Sequence, residues 1–133
     1  MDQNMDLLGK TILITGATDG IGKELAHMCW QSGANLILHG RNPQKLETLP
    51  QSLGAGVSGQ YATTIKADFS RLEEVREMAA KIITEFHHLD VLVNNAGLYP
   101  SSRVITKDGF EECNQVNYLS PFLLTNLLRP LLI

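Results

Sequence analysis

Apolar positions along the chain fall into short β-branched runs separated by longer stretches with helical spacing. Thr11-Ile12-Leu13-Ile14-Thr15 reads as a buried strand. Glycines follow, then a helix with Ile21, Leu25, Met28 and Cys29 on one face. Gly33 sits just past its end, where helices favour glycine. Asn35 to His39 is a second strand. Asn42-Pro43 supplies an N-cap with proline at the first helical position and opens a helix to about Leu53, after which Gly54 to Gly59 form a loop. Tyr61 to Ala67 is a third strand. Ser70 and Glu73 have capping-box spacing ahead of a helix that carries Leu72, Val75, Ala79, Ile82 and Phe86. Leu89 to Val93 is a fourth strand, Asn94 to Gly97 opens a loop, Thr106 caps a helix through Val116, and a last helix starts near Ser120-Pro121.

The order is β-α-β-α-β-α-β followed by helices. Strands separated by crossover helices imply a parallel sheet, and right-handed crossovers imply the doubly wound α/β form. A flavodoxin-like receiver domain has the same alternation. It would carry acidic residues at the end of the first strand, where this chain has Thr15-Gly16. There are no internal repeats and no low-complexity linker, so residues 1–133 read as one domain.

At 133 residues, 44% apolar and 19% charged, the chain can bury a core. A formal charge of −3 with no basic run excludes a nucleic-acid binder. The polar, acidic start Met1 to Asp6 lacks the pattern of a signal peptide. The most apolar segment, Pro121 to Ile133, is shorter than the roughly 20 residues a membrane span takes. It reads as a buried interface helix, left without its partner because the chain ends there. Cys29 and Cys113 belong to no ligand spacing and fit a reducing compartment; the expected location is cytoplasmic. The four histidines form no metal-ligand set, and each reads as a surface or strand-end residue.

The candidate chemistry begins at Gly16-x3-Gly20-x-Gly22, which follows a strand and opens a helix. Glycines there permit a tight turn and a close backbone approach to a pyrophosphate. The free N–H groups and the positive end of the helix dipole favour the anion. The string Thr15-Gly16-Ala17-Thr18-Asp19-Gly20-Ile21-Gly22 resembles the TGxxxGIG signature of short-chain dehydrogenases/reductases. Asp68 after the third strand, Asn94-Asn95-Ala96-Gly97 after the fourth and Asn117 in the next helix match further motifs of that family, in order. Thr106-x-Asp108-Gly109-Phe110-Glu111, Val116-Asn117-Tyr118-Leu119 and Phe122 to Thr125 are similar to its retinol dehydrogenase-like branch.

The resemblance implies a Rossmann-type doubly wound sheet, represented by its first four strands and truncated thereafter. It also implies an NAD(P)(H) site. Gly16, Thr18, Asp19, Gly20, Ile21 and Gly22 would lie at the phosphates. Arg41 and Asn42 would lie at the adenosine ribose, Asp68 and Phe69 near the adenine, and Asn95, Ala96 and Gly97 along the other ribose. Asn94 is read mainly as a tie between strands. Asn42 reads mainly as a helix cap, and Asp68 also as a turn residue before Ser70.

NAD sites usually place an acid at the end of the second strand. Here Gly40 falls at that position and Arg41 follows. A carboxylate would repel a 2′-phosphate, and an arginine fork can bind one. NADP(H) is therefore favoured over NAD(H), with stacking of Arg41 on adenine, or its exposure to solvent, as the competing reading.

In the family a tyrosine moves the proton, a lysine lowers its pKa, a serine orients the substrate oxygen, and the asparagine supports a water relay. Asn117 is the one member of that set in this chain. Tyr61, Tyr99 and Tyr118 are followed four residues later by Ile65, Arg103 and Phe122, so Tyr-x-x-x-Lys is absent. No metal site is expected. The resemblance implies hydride transfer on a carbonyl/alcohol substrate, with this chain as the cofactor half and its apolar last helix pointing to homo-oligomeric contact. An inactive nucleotide-binding fragment or interaction module is the alternative.

Overall fold

The computed structural model describes residues 6–132; the first five residues of the acidic start and Ile133 of the apolar segment lie outside the described residues. Strands β1 (Thr11–Ile14), β2 (Asn35–Gly40), β3 (Ala62–Lys66) and β4 (Val91–Val93) alternate with helices α1 (Gly20–Gln31), α2 (Pro43–Ser52) and α3 (Leu72–Glu85). The short helix α4 (Glu112–Asn114), a π-helical turn at Gln115–Leu119 and helix α5 (Ser120–Leu132) complete the chain. The sheet is parallel throughout, in the order β3-β2-β1-β4, with Leu13 opposite both Ile37 and Leu92.

Alternation along the strands feeds a core on each face. Leu13 and Ile37 point to the side covered by α3 and α5, where they meet Val75, Ile82, Leu124 and Leu128. Ile12, Ile14, Leu36 and Leu38 point to the other side, where α1 and α2 supply Ala26, Cys29, Trp30 and Leu49. This is the doubly wound arrangement expected from the sequence. The last helix is not bare: Leu124, Leu128 and Leu131 dock it in the same core as α3, and the Leu131 carbonyl accepts a bond from Leu89 N–H.

Several local expectations are corrected. On α1 the buried positions are Gly22, Ala26, Cys29 and Trp30, while Ile21 and Met28 are exposed. Gly22 and Ala26 bring the first half of this helix in with little side chain, and Cys29 and Trp30 fill the second half, so the inner face is not its most apolar stripe. The capping box at Ser70 and Glu73 does not form. Ser70 Oγ donates to Asp68 instead, Glu74 accepts from Asp68 N–H, and Arg71 occupies the N-cap position without a side-chain bond. The cap of α3 comes from a distance, with Leu72 N–H donating to Asp108 Oδ2 at 2.8 Å.

Thr106 likewise does not cap a helix. Ile105 and Glu111 form an isolated antiparallel bridge, and Glu111 caps α4 by accepting from the N–H groups of Cys113 and Asn114. Asn42 caps α2 as expected, accepting from Gln44 and Lys45 N–H.

Candidate functional site

The ends of all four strands open onto one cleft of about 460 Å³. It lies where β2 and β3 extend to one side of β1 and β4 to the other, the crevice in which doubly wound sheets take their ligands. Gly16, Thr18, Asp19, Gly20 and Ile21 line it after β1, and Arg41 and Asn42 after β2. Asp68 and Phe69 line it after β3, and Asn95, Ala96 and Gly97 after β4. Of the residues singled out in the sequence as contacts, Gly22 lies outside this lining, and so does Asn117. His39, Gly40, Lys45, Ala67, Leu98 and Val116 complete it.

The glycine turn has the geometry its composition suggests. Gly16 has φ +62° and Gly20 φ +52°, both in the left-handed region where a side chain is strained. A Cβ on Gly16 would sit 2.8 Å from Ala96 Cα, so β1 and the loop after β4 approach to backbone contact. A Cβ on Gly22 would sit 2.2 Å from Gly16 O and 2.4 Å from Asn95 Nδ2. Gly22 thus sets helix–turn packing behind the cleft. The N–H groups of Gly20, Ile21 and Gly22 have no hydrogen-bond partner among the described residues and stand at the positive end of α1.

Asn95, not Asn94, ties the strands together. Its Nδ2 donates to Thr15 O and Gly16 O, while Thr15 Oγ1 accepts from both Asn95 N–H and Ala96 N–H. Asn94 Nδ2 donates to Thr125 on α5. Asn117 stands in the π-helical turn and brackets Leu98, accepting from its N–H at 2.8 Å and donating to its carbonyl at 2.9 Å. π-Turns recur where a functional side chain must be re-aimed. Here the turn fixes the loop after Gly97 from behind.

His39 stands at the end of β2, as the sequence reading allowed, and is buried rather than a surface group. It ends an apolar run and is 3% exposed, with its ring stacked on Phe69 at 4.3 Å. Nδ1 accepts from Gly16 N–H and Nε2 donates to Ala67 O, so the bonds select the neutral Nε2–H tautomer. Burial holds its pKa down at about 4. One polar residue in a buried strand was the available signal for this clamp. Lys45 was missed because its partner is distant in sequence: Nζ donates to both carboxylate oxygens of Asp19, at 2.9 and 2.8 Å. That lysine holds the Asp19 carboxyl below the usual carboxylate range.

Gly40 is buried, and a Cβ there would lie 2.6 Å from Thr18 Cγ2 and 3.2 Å from Leu46 Cδ2. An acidic side chain has no room at the end of β2 as it stands. Arg41 is exposed on the cleft and makes no ion pair among the described residues. Asp68 accepts from Ser70 N–H and Oγ through Oδ1 alone. Among the described residues there is no group of three or more His, Cys, Asp or Glu able to hold a metal ion. No helix there is long and apolar enough to cross a membrane.

Human retinol dehydrogenase 13 is 41% identical over 120 residues, which is 90% of this chain and 36% of that protein. Human retinol dehydrogenase 11 is 39% identical over 93% of this chain and 39% of its own length. The chain therefore spans well under half the length of these relatives. The solved Pseudomonas aeruginosa RhlG/NADP active-site complex superposes with a TM-score of 0.81 at 29% identity, over 98% of this chain and 51% of that one. Residues 10–133 match the short chain dehydrogenase family; the chain belongs to that family, and its likeness is to the retinol dehydrogenases.

Proposed function

We propose that this chain is the cofactor-binding half of an NADP(H)-dependent oxidoreductase that moves hydride between the nicotinamide and a carbonyl/alcohol substrate. The observation that carries the reading is the cradle itself: a cleft at the strand ends bordered by Gly16 and Gly20, both in left-handed backbone, beside helix amides without partners among the described residues. The amides of the α1 first turn would hold the pyrophosphate, with Gly16 and Gly20 letting it approach. Asp68 and Phe69 would border the adenine. Ala96 and Gly97 would leave room for the second ribose, and Asn95 would hold that loop in place. When bound, the nicotinamide supplies the hydride chemistry; the residues of this chain bind, orient and wall it off from solvent.

The preference for NADP(H) rests on Gly40 and Arg41. The close approach of Thr18 to Gly40 means that the threonine side chain would have to shift before a carboxylate that bonds a ribose 2′-OH and repels a 2′-phosphate could stand there. Arg41, next in the chain and exposed on the cleft, would pair with that phosphate. Arg41→Asp should weaken NADPH binding about tenfold or more and NADH binding far less, since a charge-assisted pair is worth about 1.5–3 kcal/mol. Equal losses for both nucleotides would remove Arg41 from the role.

Asn117 is the one side chain of the proposed catalytic set that this chain contains, and it acts by fixing the π-turn and Leu98. With no Tyr-x-x-x-Lys, the 133-residue chain is expected to bind nucleotide without turnover. NADPH oxidation above background against a panel of aldehydes and ketones would overturn that expectation.

A further inference from the structure

We propose that Lys45 is a positioning residue that keeps the nucleotide-phosphate site open by holding Asp19 away from the helix it would otherwise cap. The inference rests on the cofactor reading above and adds a device to it. Asp19 is the N-cap residue of α1, with extended backbone at φ −144° and ψ 161°. An aspartate there normally turns its carboxylate onto the N–H groups of the first turn. This one makes no such bond. Both its oxygens lie instead on Lys45 Nζ, reaching from the first turn of α2. Thr18 Oγ1 also donates to the carboxylate, at 3.3 Å.

The consequence is local and electrostatic. If the carboxylate swung onto α1, it would occupy the amides of the first turn and put a negative charge where a pyrophosphate is to sit. Drawn to Lys45, it leaves those amides available and its charge neutralised. The pair borders both the main cleft and a neighbouring pocket of about 160 Å³ lined also by Lys23, Thr48 and Ser52. Its side chains are half or more exposed, so the ion pair is weak and close in strength to the cap it prevents. Removing the lysine should therefore tip Asp19 into the capping position.

The experiment is equilibrium titration of the full chain with NADPH and, separately, NADH, followed by nucleotide fluorescence. Lys45→Met should weaken both nucleotides about fivefold, the cost of displacing one N-cap bond. Adding Asp19→Ala to that variant should restore the affinity, because the competing cap is gone. Lys45→Arg should rebuild the pair and recover what Lys45→Met loses. Rescue of Lys45→Met by a second loss of charge is a result that a purely structural role for Lys45 does not produce. Loss confined to NADPH, without rescue by Asp19→Ala, would make Lys45 a direct 2′-phosphate ligand and overturn the proposal. Unchanged binding by Lys45→Met, with wild-type binding intact, overturns it alone. Failure of the wild type to bind either nucleotide overturns the cofactor reading and this inference with it.

Discussion

Stability should fall with pH in a way that traces to His39. Its ordinary pKa is 6.5 and burial lowers it to about 4, against smaller opposing effects of the Ala67 carbonyl and the Asp68 charge. The unfolded chain therefore takes up a proton as pH falls through 6.5, while the folded chain does not until about 4. The contribution is fully present above pH 6.5 and is lost progressively down to pH 4. Between pH 7.5 and 4.5 the loss comes to about 2.5 kcal/mol. Protonation of Nδ1 would also set a donor against Gly16 N–H, so the same step loosens the glycine turn.

His39→Gln isolates the effect, because glutamine can still donate to Ala67 O and cannot titrate. At pH 7.5 the variant should be less stable by about 1–2 kcal/mol, having lost the Gly16 bond and the stack on Phe69. Urea unfolding of both proteins from pH 7.5 to 4.5 reads the difference; carboxylates common to the two cancel. The gap should close and then reverse as pH falls. Parallel stability curves would refute the buried, neutral histidine.

Two further perturbations test the frame around the site. Gly22→Ala forces a methyl to within 2.2 Å of Gly16 O, a carbonyl held by Asn95, so it should cost about 1–3 kcal/mol in urea unfolding and reduce nucleotide binding. A variant as stable as wild type would show that the turn yields. Asp108→Ala removes the cap on Leu72 N–H and the acceptor of Gln115 Nε2, so it should lower the melting temperature and speed exchange of the Leu72 amide. Unchanged Leu72 protection would dismiss the long-range cap.

The strand pattern was legible in β1 and β2 because both are buried on both faces, and in β3 and β4 because each is a short β-branched run between helical stretches. The glycine turn was legible because strained backbone leaves a residue-type mark: Gly16 and Gly20 both have positive φ. Partners far apart in sequence were not. Asp108 caps a helix 36 residues before it, and Lys45 reaches an aspartate 26 residues away; neither leaves a local signature. The Ser70 reading failed because Asp68 competes for the same hydroxyl. The α1 face was misassigned in part because hydrophobicity marked Ile21 and Met28, whereas Gly22 takes the inward position in the first turn and Ile21 lines the cleft.

The central claim, that this cleft holds a nicotinamide dinucleotide, is tested most directly by titrating NADPH and then NADH into the isotopically labelled chain and following the backbone amides. The account predicts saturable shifts at Gly16, Gly20, Ile21, Asp68 and Ala96, with NADPH the tighter ligand. No saturable shift, or shifts confined to residues outside the cleft, would contradict it.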